Sequence, residues 1–365
     1  MKGRKGEREI LGDVERADQT LDIRPSDNSP FFTLSPSLSF SLSMKKRLRI
    51  LAFLVVALAV IFALGPRASV DLTMRPVTVP DDLDGYLAEA EARFADLRPG
   101  VEKTIVWADP ATKQRTPVSI VYLHGFSATR RETHPLCDTL AARLGANLFY
   151  TRLTGHGRSD EAMAEASAND WLHDGYEALV IGRRLGDRVV LVGTSTGATL
   201  ATWLATQPDA LDNLLAFVLI SPNFAPKDPD AQKLLWPWGK TLARLLVGPY
   251  FQWEPRNDDQ ARYWTTRYPT EVLVTMMGLV DLVEQADLGT IRVPMLVIYS
   301  PDDQVVDPER IAARYPEIGA SYKRLVPLEA VGDSMNHVLA GAILSPENTE
   351  PVAALMLEFL APLLD

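Results

Sequence analysis

Cysteine is almost missing from this chain of 365 residues. Its one cysteine, Cys137, excludes an intramolecular disulfide framework and a thiolate zinc site. Positive charge is also short. The net charge is −10, and residues 71–365 hold 26 Lys+Arg against 40 Asp+Glu. A body that acidic is repelled by phosphate backbones, so a nucleic-acid partner is excluded. No internal repeat is visible. Apolar residues make up 47% and charged residues 23%, which excludes wholesale disorder, collagen and coiled coil. The length suits one large α/β domain with an insertion, or two ordinary domains.

Long apolar runs are absent but for one, Ile50–Leu64, preceded by Lys45, Lys46, Arg47 and Arg49. A basic flank before an apolar stretch is the start of a secretory signal or a signal anchor. Counted from Leu48 the stretch is at the short end for a membrane span. Ala63-Leu64-Gly65 is a poor cleavage site because Pro66 follows, which favours an uncleaved anchor over a removed signal. The cations would stay in the cytoplasm and residues after about 66 would lie outside it, in the periplasm of a bacterium. Residues 1–43 are polar, Ser/Pro-rich in 25–43, and read as a disordered or mis-called extension, with Met44 as the start of translation.

From about residue 101 short strands alternate with helices. The strands are Thr104–Trp107, Val118–Leu123, Asn147–Arg152, Arg188–Val192, Leu215–Ile220, Met295–Tyr299 and Tyr322–Val326. The helices are Pro135–Leu144, Asp170–Leu185, Thr196–Gln207, Pro308–Tyr315 and Glu350–Leu363. This rhythm is that of βαβ units around a mostly parallel sheet with both faces covered, an α/β fold. Residues 67–100 form a linker and lead-in. Residues 101–223 and 289–365 form the core, interrupted by a helical cap at 224–288. That insertion carries four of the seven tryptophans. Trp236, Trp238, Phe251, Trp253, Trp264 and Met276 are its candidate substrate contacts, against the plainer reading that each is ordinary core.

Gly193-Thr194-Ser195-Thr196-Gly197 directly follows one strand and directly precedes a helix. A turn that tight holds Ser195 in a strained conformation and needs small residues two before and two after it. The helix start then aims backbone N–H groups at an oxyanion formed beside Ser195. A serine hydroxyl needs a base, and only His337 among five histidines lies downstream. The third group belongs in the turn after Met295–Tyr299, where Asp302 and Asp303 compete. Asp303 is chosen because it sits immediately before the Gln304-Val305-Val306 run, leaving Asp302 to cap the turn. The second oxyanion amide is Phe126 N–H, in Leu123-His124-Gly125-Phe126, beside Thr196 N–H. His124 braces this loop by hydrogen bonding rather than acting as base.

These strings, with Gly155-His156-Gly157-Arg158-Ser159, resemble the α/β-hydrolase superfamily over roughly residues 101–364. The Thr154–Ser159 string is similar to the monoacylglycerol lipase and lysophospholipase-like branch. The resemblance implies a central, mostly parallel sheet of about eight strands and a cap inserted after the sixth strand. It also implies no metal or organic cofactor, and ester hydrolysis through an acyl-enzyme. Threonine on both sides of Ser195 departs from the many relatives that carry a bulkier residue there. An apolar acyl ester, such as an acylglycerol or a lysophospholipid, is the expected substrate. An acyltransferase with the same triad, a non-catalytic binding protein, and an amidase or peptidase are the competing readings.

Overall fold

A computed structural model describes residues 44–364, so the expectation placed on residues 1–43 lies outside the described residues. The chain divides into two units after Val56, and helix α1 (Met44–Ala63) crosses that boundary. None of its residues is buried. Among the described residues no helix is long and apolar enough to cross a membrane. The reason is local. Lys45, Lys46, Arg47 and Arg49 lie inside α1 instead of ahead of it, and its remaining apolar stretch ends at Ala63.

The second unit, Ala57–Asp365, holds the sheet. Its elements begin with α2 (Leu83–Ala92), β1 (Thr104–Val106), β2 (Thr116–Leu123), α3 (Leu136–Leu144) and β3 (Asn147–Tyr150). They continue with α4 (Ala168–Leu185), β4 (Gly186–Thr194), α5 (Thr196–Ala205) and β5 (Leu214–Ile220). An insertion follows, with α6 (Gly239–Leu246), β6 (Tyr250–Gln252), α7 (Asp258–Tyr263), β7 (Arg267–Pro269) and α8 (Val272–Glu284). The chain then returns to the sheet through β8 (Met295–Tyr299), α9 (Pro308–Arg314), β9 (Lys323–Pro327) and α10 (Thr349–Leu364). Helix boundaries follow local chemistry. Ser167 caps α4 in a reciprocal box with Asp170, and Gly145 ends α3 in the left-handed region.

The sheet has seven strands in the order β1-β3-β2-β4-β5-β8-β9. All neighbours are parallel except β1 with β3. Alternate residues of each strand face opposite cores. Val121, Leu191, Phe217 and Val297 meet α4, α5 and α8 on one side. Ile120, Val190, Val218 and Leu296 meet α3 and α10 on the other. Three expectations are corrected here. The sheet has seven strands, those read from the sequence, where the resemblance implied about eight. The insertion therefore follows the fifth strand and not the sixth. It is also not purely helical, since β6 and β7 pair antiparallel. Strands of three residues are too short to show a period-two pattern.

Candidate active site

The site is built where parallel strands end. Register pairs Leu123 of β2 with Gly193 of β4, and Thr194 with Ile220 of β5, so three strand ends converge on Ser195. Ser195 has φ 52° and ψ −117°, a conformation that costs a non-glycine residue about 1–3 kcal/mol and persists only where packing enforces it. The packing is visible in the flanking glycines. A Cβ on Gly193 would lie 2.6 Å from Gly197 O, and one on Gly197 would lie 2.1 Å from Leu123 O. Strand, turn and helix are thus in backbone contact, and only glycine fits at either position.

The base and its acid come from loops after β9 and β8. His337 Nδ1 lies 2.8 Å from Asp303 Oδ2. Asp303 is fully buried, and its Oδ1 accepts the N–H groups of Val305 (2.7 Å) and Val306 (2.9 Å). Asp302 is exposed, so the structure brings Asp303 and not its neighbour to the imidazole. Burial works against a charge on His337. The Asp303 charge and hydrogen bond outweigh it, with Glu132 and Asp333 adding to them, and the imidazole pKa lies above its ordinary value. Ser221 joins this loop to the serine turn. Its hydroxyl donates to His337 O at 2.8 Å, while Ser195 N–H donates to Ile220 O and Asn223 N–H to Ser195 O. Both halves of the proposed nucleophile–base pair therefore sit in loops at the C-terminal ends of the parallel strands.

The amides of Phe126 and Thr196 donate to no protein acceptor among the described residues. The Gly125–Phe126 peptide is oriented through its carbonyl. Gly125 O lies 2.9 Å from His124 Nδ1 and accepts Ala128 N–H, which turns the Phe126 N–H the opposite way. Leu153 N–H donates to His124 Nε2 at 3.0 Å, so the network assigns the proton to Nδ1. Burial holds this imidazole neutral, with its pKa down at about 4.

The aromatic residues of the insertion divide. Phe251 stacks on Tyr268 at 5.7 Å, and Tyr268 meets Phe126 edge-on at 5.2 Å. Met276 Sδ is 3.1 Å from Asn223 Nδ2, beside the serine turn. Trp264 is buried in a small core with Val101, Ala128 and Val338, and Trp253 packs against it. Trp236 and Trp238 are not brought to Ser195. They are 49% and 37% exposed and lie against Phe62 and Ile61.

Asp333, Arg256 and Glu132 are the residues that sequence reading passed over. Asp333 Oδ2 accepts the N–H groups of His337 (3.2 Å) and Val338 (3.0 Å), and Oδ1 accepts Arg256 at 2.5 Å. The spacing of Asp333 four residues before His337 was the available signal, an Asx-type loop clamp. Among the described residues no group of three or more His, Cys, Asp or Glu is arranged to hold a metal ion.

A serine in a strained strand–helix turn, two free amides and a carboxylate-bound histidine on an α/β sheet define a serine hydrolase of the α/β-hydrolase class. The chain belongs to the family described as serine aminopeptidase, S33 (Hydrolase_4), whose model matches residues 114–331. The match contains Ser195 and Asp303 and stops short of His337. The chain is 27% identical over 224 residues to a thermostable monoacylglycerol lipase of Bacillus sp. (strain H-257), spanning 60% of this chain and 84% of that protein. Its fold is shared with a structure from the metagenome-derived lipolytic enzymes LipS and LipT, at 23% identity and a TM-score of 0.60, over 73% and 99% of the two chains. It is also shared with the monoacylglycerol lipase of Paleococcus ferrophilus, at 18% identity and a TM-score of 0.52, over 72% and 99%. The protein is a serine ester hydrolase.

Proposed function

We propose that the enzyme hydrolyses apolar acyl esters of the acylglycerol or lysophospholipid kind, with Ser195 as nucleophile, His337 as base and Asp303 as its orienting acid. His337 takes the Ser195 proton as the hydroxyl attacks the acyl carbonyl. Phe126 and Thr196 N–H hold the oxyanion, each such donor being worth about 10²–10³ in rate. The alcohol departs with the proton from His337, and water activated by the same imidazole releases the acid. The observation that carries this reading is the strained Ser195 beside two unpaired amides, at the strand ends whose loops also hold the His337–Asp303 pair.

Three features support an ester over a peptide. The Bacillus relative is a monoacylglycerol lipase. Phe251, Tyr268 and Phe126 form an aromatic path to the oxyanion turn, and each methylene buried along such a path contributes about 0.8 kcal/mol. The buried carboxylates at the site, Glu132, Asp303 and Asp333, are all bonded to protein donors, which leaves none for a substrate amine. Rates on p-nitrophenyl esters of rising chain length, on 1-monoacylglycerol, on lysophosphatidylcholine and on aminoacyl anilides test this. Medium or long acyl esters lead and anilides stay at background; an anilide turned over faster than any ester refutes the substrate class.

Membrane attachment through the N-terminal segment, with the catalytic unit outside the cytoplasm, belongs to the same proposal. The cation-flanked apolar run supports it, as do the exposed Leu245, Leu246 and Val247 at the end of α6. Cell fractionation with a salt and carbonate wash tests attachment; recovery of all the protein in the soluble fraction rejects it.

A further inference from the structure

The reaction scheme leaves one buried carboxyl group unused. Glu132 is 2% exposed and lies behind the oxyanion turn. Its Oε2 accepts Gly125 N–H at 2.8 Å and the Tyr122 phenol at 3.0 Å. The same phenol oxygen is 3.1 Å from Thr194 Oγ1, on the residue before the serine. A Cβ placed on Gly125 would meet Glu132 Oε1 at 2.7 Å and Ser195 Cβ at 3.2 Å. The carboxyl group and the Ser195 side chain are therefore less than two side-chain contacts apart, with only the Gly125 backbone between them.

We propose that Glu132 is a positioning residue of the reaction, whose carboxylate clamps the Gly125 turn against the Ser195 elbow and sets a second buried negative charge beside the His337 imidazolium. The inference rests on the Ser195–His337 reading of the site. Gly125 N–H and Gly125 O belong to the two peptides that flank this residue. Glu132 fixes the first and His124 the second, so the Phe126 N–H is aimed from both sides. The Tyr122 bridge extends the clamp to Thr194, the residue before Ser195. Preorganised donors of this kind cost no reorganisation when the oxyanion forms.

The groups facing Glu132 are Tyr122 from β2 and His337 and Asp333 from the loop after β9. Arg256 is ion-paired with Asp333, and Asp303 holds His337 through Nδ1. Burial pushes the Glu132 carboxyl up to about 7, against Gly125 N–H, the His337 charge and the Tyr122 hydrogen bond, which pull it down. The active form carries no proton on either Glu132 or His337, and uptake of one proton by the coupled pair ends or impairs turnover.

The test uses the full chain and p-nitrophenyl butyrate from about pH 5 to about pH 9, around the histidine range. Glu132→Gln keeps the shape and an acceptor for Gly125 N–H but removes the charge. Its kcat falls about tenfold with KM within about twofold. Its acid limb of kcat/KM moves to lower pH by about half a unit or more, because His337 loses a negative neighbour. Tyr122→Phe removes a donor from the carboxylate, so the pair takes its first proton more easily and the limb moves to higher pH. Both variants still label at Ser195 with a fluorophosphonate, which separates failure of this inference from failure of the serine-hydrolase reading. A merely structural Glu132 would lower the melting temperature and kcat and leave the limb in place. That result overturns the proposal, as do limbs that coincide with the parent in both variants. Should Glu132→Gln not fold, the direction of the Tyr122→Phe limb decides alone.

Discussion

The reading of Ser195 as nucleophile rests on the two glycines its tight turn requires, and that of His337 on its being the one histidine downstream of Ser195. Gly193 and Gly197 touch carbonyl oxygens with the space of a single Cβ, so a glycine on each side of a serine carries structural information. Asp303 was separable from Asp302 only by its place ahead of Gln304-Val305-Val306, and the reason is now visible: its Oδ1 bonds the two valine amides while Oδ2 meets the imidazole. Glu132 was not legible, because its partners, Gly125 N–H and the Tyr122 phenol, leave no mark on local residue type; Asp333 left only its spacing ahead of His337. Asp303→Asn leaves the wrong tautomer facing Ser195 and lowers kcat by about 10³–10⁴. Asp302→Asn, on an exposed side chain, stays within about twofold of the parent. Steady-state kinetics of the two variants side by side check this, and a reversed order contradicts the geometry.

At the scale of elements, strands buried on both faces were readable from their Val, Ile and Leu content, and the helices between them from caps and length. Helix α2 escaped because its attachment is ionic as well as apolar. It presents Leu83 and Leu87 to the core and buries Glu91, whose carboxylate takes both Arg152 nitrogens at 2.8 Å. Lys103, held by Glu177 and by Asp174 at 3.7 Å, joins the start of β1 to α4 in the same region. Breaking a buried pair leaves its partner's charge uncompensated. Glu91→Ala therefore destabilises the protein by about 3–5 kcal/mol, read as a fall in urea midpoint. Its kcat on a soluble ester stays near the parent value below the transition, because neither residue touches the site. A midpoint unchanged from the parent would show that the ion pair contributes nothing net.

For the molecule as a whole, stability should depend on pH through two buried histidines that transfer no proton in the reaction. His124 and His156 are fully buried with rings 5.0 Å apart, and burial lowers the pKa of both, His124 to about 4. The unfolded chain protonates them near pH 6.5 and the folded one refuses until lower pH. The stability they contribute is present above about pH 6.5 and is lost as pH falls towards about 4. Urea midpoints taken through that range should decline, and His156→Asn should flatten the decline. A parent midpoint constant across the range contradicts the assignment of neutral, buried imidazoles. At this scale the alternation of strands with helices and the seven strands of the sheet were legible. The strand order and the β6–β7 pair were not, because pairing between strands distant in the chain and strands of three residues leave no local pattern.

The central claim is tested most directly by labelling the purified enzyme with a fluorophosphonate and mapping the adduct by peptide mass. One adduct per chain, on Ser195, is expected, and Ser195→Ala loses it together with ester hydrolysis. An adduct on another residue, or a Ser195→Ala variant that hydrolyses esters at the parent rate, contradicts it.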